Sequence, residues 1–150
     1  MQRLEIAINI NCPLSQVFAI YTQADLWSWS DFRSARWTQG QAWEVGSRLR
    51  IEPANSYGIV IDQVLIAMEI NRLVGFISHF AGITMQSETK FRPLSDALTE
   101  VSYKSEFVGN FSRIAAFPLR SAIEFGAQRF LDDLKRECER DTQHSAGINN

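Results

Sequence analysis

Cysteine is scarce: Cys12 and Cys138 are the only two in 150 residues, far apart and without CxxC or Cys/His spacing. That excludes a disulfide framework and a zinc site as organising devices and predicts two reduced thiols. No apolar run reaches the ~18 residues of a membrane span. Met1 to Ile10 carries Glu5 inside its apolar stretch and has no small-residue cleavage site, so it does not read as a signal peptide, and the expected compartment is the cytoplasm. An excess of one charge is also missing, because 15 Lys+Arg against 17 Asp+Glu leave a net −2, which argues against a nucleic-acid binder. There is no GxGxxG, P-loop, GxSxG, HExxH or metal-spaced cluster. The reading therefore requires no metal and no cofactor.

What is present is an ordinary globular composition, 45% hydrophobic and 21% charged. A chain of this length buries roughly 68–70% of its unfolded surface, enough for one self-sufficient core. The expected organisation is a single domain over 1–141 and a flexible polar tail over 142–150, with no repeat and no linker.

Leu4, Ile6, Ile8 and Ile10 alternate with Glu5, Ala7 and Asn9 as in a half-buried strand. Pro13 then opens a short helix carrying Val17, Phe18 and Tyr21. A second short helix or an irregular turn is expected over Asp25 to Phe32, since Trp27 and Trp29 are too close in sequence to share a helix face. From Ala35 to Gly109 the pattern is strands. Ile83, Met85, Ser87, Thr89 and Phe91 form one inner face, and Val101, Tyr103, Ser105 and Phe107 another, with a turn at Pro93 to Asp96. A change of phase near Asp62 and Gln63 predicts a bulge. Leu119, Ile123, Ala127, Phe130, Leu134 and Cys138 then stripe a long helix to about Arg140, with a break expected at Pro118. The fold class is α+β: an antiparallel sheet curved around the C-terminal helix, a geometry that leaves room for a ligand between them.

The unusual feature is hydroxyls on faces that should be buried: Ser87, Thr89, Tyr103 and Ser105. They require partners, supplied either by a cavity and its ligand or by cross-strand pairing and bound water. His79, beside Phe80, is a candidate general base if it faces inward and a surface histidine if it does not; His144 lies in the tail. Asp62 and Glu106 are candidate acids that sit among other charges and read as solvated. Trp27, Trp29, Trp37 and Trp43 suit a pocket entrance or a core. Arg33, Arg36, Arg48 and Arg50 are the one basic concentration, explained for Arg48 and Arg50 by an outward strand face.

Several strings in this order resemble the SRPBCC (START/polyketide cyclase/Bet v 1-like) superfamily, the helix-grip fold. They are Pro13 to Phe18, Trp27-Ser28-Trp29, Gly40 to Trp43 with Gly46, and Asn71 to Val74. Phe91-Arg92-Pro93, Thr99-Glu100-Val101, Phe107-Val108-Gly109, and Phe130 to Lys135 with Glu139 complete the set. The similarity spans nearly the whole chain and departs at Ala97-Leu98, where the family often has Gly-Gly. It implies a seven-stranded sheet gripping the C-terminal helix, with two short helices after the first strand and an internal cavity for a lipid, sterol, polyketide or quinone-type molecule.

The expected function is binding of such a ligand by a monomer or homodimer that neither enters the membrane nor contacts nucleic acid. The wall candidates are Phe18, Tyr21, Trp29, Trp37, Phe76, Phe91, Phe107, Phe117, Ile123 and Phe130, and Ser87, Thr89, Tyr103 and Ser105 would orient polar groups. One alternative is a cyclase or dehydratase using Tyr103 with His79 as acid and base, although no catalytic residue set of an enzyme branch is matched. The other is a protein-interaction module with a filled core.

Overall fold

The computed structural model describes the backbone of residues 3–54, 59–108 and 111–148, and in the last helix the side chains of 120–140. The elements run β1 (Arg3–Ile10), α1 (Leu14–Tyr21), β2 (Ser34–Gln39), β3 (Arg48–Glu52), β4 (Ile61–Glu69), β5 (Leu73–Phe80), β6 (Ile83–Ser95), β7 (Leu98–Val108) and α2 (Phe111–Ile148). The strands form one antiparallel sheet in the order β1-β7-β6-β5-β4-β3-β2. This is the expected α+β architecture. A meander from β2 to β7 places the first and last strands side by side, with α1 and α2 packed against each other and against the β1, β6 and β7 end.

Alternation translates directly into burial. Ile83, Met85, Ser87, Thr89 and Phe91 of β6 are all buried, and their neighbours Gln86, Glu88 and Lys90 turn outward or sit at the surface. The bulge falls between Leu65 and Ala67, a little beyond the predicted place. Across it lies Gly75, where an added Cβ would sit 3.3 Å from the Ala67 side chain.

One short helix follows β1 rather than two; Asp25–Phe32 takes the irregular-turn form. Trp27 adopts φ +50°, which an α-helix does not accommodate. Both indoles of this turn serve the end of α1: Trp27 Nε1 donates to the Tyr21 carbonyl (3.0 Å) and Trp29 Nε1 to that of Ile20 (3.2 Å). Carbonyls of a helix's last turn have no partner within the helix. The two tryptophans, unable to share a helix face, instead donate to these carbonyls, that of Ile20 also accepting from the Gln23 backbone N–H at 3.5 Å.

Two further boundaries differ from the sequence reading. α2 is continuous through Pro118, and its backbone stays helical past Asp141 to Ile148, so the stretch read as a polar tail is helical that far. The side chains of Phe117, Leu119 and His144 lie outside the described residues. Among the described residues, no helix is long and apolar enough to cross a membrane.

The loop after β2 must return Trp43 to the core, and it is tied at Gly40. Gly40 has φ +82°, and an added Cβ would overlap Ser47 Oγ and lie 3.1 Å from Ser47 Cα. Ser47 has little freedom to retreat, because its hydroxyl donates to the Gln41 carbonyl at 2.6 Å. Gly40→Ala is expected to destabilise by about 2–4 kcal/mol, combining left-handed strain with loss of that bond. Urea unfolding should show a lower midpoint at unchanged slope; a midpoint equal to wild type would mean the loop is not tied in this way.

At the other end of the core, Glu139 holds α2 to the β1–α1 junction. Its Oε2 accepts from the Asn11 backbone N–H (3.0 Å) and from Lys135 Nζ (2.7 Å), and Lys135 also donates to the Asn9 carbonyl (2.7 Å). Burial alone would raise the carboxyl's pKa, but the bonds from Lys135 and Asn11 outweigh it and hold Glu139 below its ordinary 4.5. The folded state therefore binds this proton less readily than the unfolded chain. The associated stability is complete above pH 4.5 and is lost as the pH falls through the lowered value. Glu139→Gln should lose less stability than wild type between about pH 5 and 3 in paired urea titrations. Equal losses would remove Glu139 as the source.

Candidate functional site

The apolar interior is divided into two parts. A large cluster around Val17, Leu49, Leu65, Val101, Leu131 and Leu134 fills one end, and Phe80, Ile83 and Met85 form a smaller one with Phe107 and Ile123 against them. Between the two lies a cavity of about 220 Å³. Its floor is the inner face of β3 to β7, its roof is α2, and Tyr21, Trp27 and Phe32 close the end nearest α1.

The two sides differ in chemistry. α2 contributes Ala122, Ile123, Gly126, Ala127 and Phe130, so this wall is apolar and mostly small. The sheet contributes Gln63, Ser78, Ser87, Thr89 and Tyr103 among Ile51, Ile61, Phe76, Phe80 and Met85. Strand register assembles these polar groups into a patch. Gln63 pairs with Ser78, Ser87 with Ser105, and Thr89 with Tyr103. Gln63 Nε2 donates to Ser78 Oγ at 2.9 Å.

Both phenols are held neutral. Burial pushes Tyr103 up, opposed by hydrogen bonds with Ser105 and Ser87. Burial likewise pushes Tyr21 well up, opposed by its bond with Thr89 and reinforced by the nearby Tyr103. Each presents an O–H rather than a phenolate, so the patch offers hydrogen bonds without charge.

Of the sequence candidates, Tyr21, Phe76, Ser87, Thr89, Tyr103, Ile123 and Phe130 line the cavity. Ser105 lies buried behind the wall as a partner of Tyr103. Phe18 and Phe91 pack edge to face at 5.1 Å inside the larger cluster, and Phe107 belongs to the smaller one. Trp29 rests on Phe130 at 5.0 Å and Trp37 on Trp43 at 5.2 Å, both behind the wall. Phe117 lies outside the described side chains.

His79 is on the wrong face for the expected partnership with Tyr103. It is exposed, its Nδ1 lies 3.2 Å from Thr84 Oγ1, and its cross-strand neighbour is Asp62. The period of two that buries Ser78 and Phe80 sends His79 outward. Asp62 and Glu106 are also surface groups, paired with Arg50 (2.9 Å) and Arg3 (2.8 Å).

Sequence reasoning missed Phe32, Gln63 and Ser78 as wall residues; it gave Trp27 as suited to a pocket entrance or a core and Met85 as an inner-face residue without assigning either to the wall. For Gln63 a signal existed, since it lies in phase with Ile61 and Leu65, but its polarity read as an interruption of the strand.

No protein-family model and no curated protein matches the sequence. Solved structures do share its fold. The Zhui aromatase/cyclase from Streptomyces sp. R1128 superposes with a TM-score of 0.77 at 13% identity, over 94% of this chain and 95% of that one. Protein CV1439 from Chromobacterium violaceum gives 0.69 at 16% identity, over 93% and 99%. The di-domain ARO/CYC StfQ from the steffimycin biosynthetic pathway gives 0.73 at 16%, over 93% of this chain but 46% of that longer one. The chain thus has the helix-grip fold, as its sequence strings implied.

Proposed function

We propose that the protein binds a small aromatic molecule in the cavity between the sheet and α2. The observation that carries this reading is the two-sided wall, with neutral hydrogen-bonding groups on the sheet and small apolar residues on the helix. Drug-sized sites run from ~300 to 1,000 Å³. At about 220 Å³ the cavity suits one or two fused rings better than a sterol or a long acyl chain. Burying ~200 Å² of such a ligand contributes about 5 kcal/mol, which alone gives affinity only in the sub-millimolar range. The polar patch is where further affinity and selectivity would arise.

Native mass spectrometry of gently purified protein tests this. The expected result is a reproducible small-molecule adduct, or thermal stabilisation by naphthalene-sized aromatics. No adduct, and no stabilisation by a panel of aromatics, quinones and lipids, would remove the reading in favour of a filled core and a protein partner.

Cyclase-type action is the second reading, supported by two neighbours that are named as aromatase/cyclases. In it the Tyr103 O–H, a neutral phenol inside the cavity, hydrogen-bonds a bound carbonyl and polarises it for ring closure without His79; the proton lost from the attacking methylene ends on that carbonyl oxygen, so the phenol is unchanged overall. Tyr103→Phe should then abolish turnover of a poly-β-ketone analogue with little change in its binding. A binding protein would show no turnover in either form.

A further inference from the structure

The cavity is closed at one end and open at the other. Toward α1, Phe130 is packed by Trp27 at 5.2 Å, Phe32 at 5.3 Å and Tyr21 at 6.1 Å. Tyr21 and Trp27 are at most 4% exposed, so these rings, drawn from α1, the turn after it and α2, shut that end. Toward the start of α2 the wall changes. Ala122 and Gly126 line the cavity and are also exposed to solvent, and a Cβ added at Gly126 would meet nothing within 4 Å. Residues that belong to both the wall and the surface mark the mouth.

The packing of α2 places that mouth. The helix rests on α1, β1, β6 and β7. Pro53, just after β3, and Ile61, at the start of β4, line the cavity and stay half-buried. To the same opening α2 supplies Ala122 and Gly126, whose side chains are too small to close it. Positions 122 and 130 lie ~12 Å apart along the helix. The slot, about 220 Å³, is taken up by two fused rings and has no room for a chain as well. A chain attached to the rings therefore has one way out. One turn from Gly126, Arg129 is paired with Asp31 at 2.5 Å, so its charge is already met and the chain need carry none.

We infer that the site takes a one- or two-ring aromatic bearing a single uncharged chain, its ring end against Phe130 and its chain leaving between Ala122 of α2 and the Pro53 side of the sheet. This rests on the cavity-binding reading above and adds to it a direction and a substitution pattern. One substituent is accommodated at the mouth; a second, at the opposite end of the rings, meets the closed wall.

The test uses 2-methoxynaphthalene, the same rings with a tri(ethylene glycol) chain in place of the methyl, and naphthalene bearing that chain at both the 2 and 6 positions. In isothermal titration against the wild-type full chain the first two should bind alike. The third should bind roughly tenfold more weakly or worse, since its second chain overpacks the closed end. Thiol labelling reads the mouth separately. Cys12 and Cys138 are fully buried, so the thiol introduced by Ala122→Cys, or by Phe125→Cys, is the accessible one. Phe125 is 69% exposed and does not line the cavity. With about nine-tenths of the protein occupied, the single-chain probe should slow maleimide labelling of Ala122→Cys about tenfold, because only the free tenth reacts. At the same occupancy 2-methoxynaphthalene should slow it far less, and neither probe should slow labelling of Phe125→Cys. Equal binding of the one-chain and two-chain probes would make the cavity a tunnel, and loss of binding on adding the first chain would make it closed. Labelling at position 122 that ignores the bound single-chain probe, or is slowed equally by 2-methoxynaphthalene, would put the exit elsewhere. Each of these overturns the exit at Ala122 while leaving the cavity in place. Failure of all three probes to bind would instead remove the cavity-binding reading and this inference with it.

Discussion

Trp27→Ala is expected to destabilise the protein by about 3–5 kcal/mol, the range for removing a large buried aromatic. Trp27 is 4% exposed and packs edge to face on Phe130 (5.2 Å), Tyr21 (5.7 Å), Phe76 and Trp43 (both 6.0 Å). These partners come from α2, α1, β5 and the loop before β3, so one ring contacts all four segments. The indole N–H also satisfies the carbonyl of Tyr21 at the end of α1. Trp27→Phe separates the two contributions: it keeps an aromatic ring in the cluster and loses the donor, which should cost about 1–2 kcal/mol. Urea unfolding followed by far-ultraviolet circular dichroism reads both. If Trp27→Ala lost less than about 1 kcal/mol, the ring would be part of a loosely packed rim, and the cavity would not have the rigid end wall described here.

The features of Trp27 that matter most were invisible in the sequence for a physical reason. Its spacing from Trp29 excluded a shared helix face, but the left-handed backbone at φ +50° depends on how the turn closes against α1 and the sheet. Propensity carries little information about such a tertiary outcome. By contrast, β6 and β7 were legible because one face of each is buried over most of its length, which forces strict alternation over a long stretch. The bulge in β4 was legible as an event but misplaced, because the sequence shows where one strand changes phase and not which residue of the partner absorbs the extra one. The end of α2 was missed because Asp141 to Ile148 continues the helix after the apolar stripe has ended. Periodicity reports packing, not helicity.

The candidate site was half legible for a related reason. Hydroxyls on an inner strand face, such as Ser87 and Thr89, stood out because alternation assigned them to the interior without naming a partner. Aromatic residues gave no comparable discrimination. Phe18, Phe91 and Phe107 belong to the same inner surfaces as Phe76, and only the three-dimensional path of α2 decides which rings face the gap and which fill the space beside it. His79 was decidable in principle. Phe76, Ser78 and Phe80 set an inner phase, and a histidine between two of its members points outward unless a bulge intervenes; the bulge of this hairpin lies on β4, away from it.

Ala127→Phe separates an open cavity from a filled core by the sign of its effect on stability. Ala127 is half-buried on the inner side of α2 and lines the cavity with Ile123 and Phe130. If the space is open, the added ring enters it and is covered. Removing ~80 Å² of apolar surface from water gains about 2 kcal/mol, from which a helix-propensity loss of about 0.5 kcal/mol is subtracted. Stability should therefore rise by about 1–2 kcal/mol, while affinity for naphthalene falls at least tenfold because the ring occupies the site. If the core is already full, the same ring overpacks it and stability falls by about 1–3 kcal/mol. The urea midpoint and the naphthalene titration measured on one preparation distinguish the cases, because an open cavity moves stability and affinity in opposite directions. A filled core lowers stability and has no naphthalene affinity to lose. A rise in midpoint with unchanged naphthalene binding would place the ligand elsewhere on the protein and overturn the site, although not the fold.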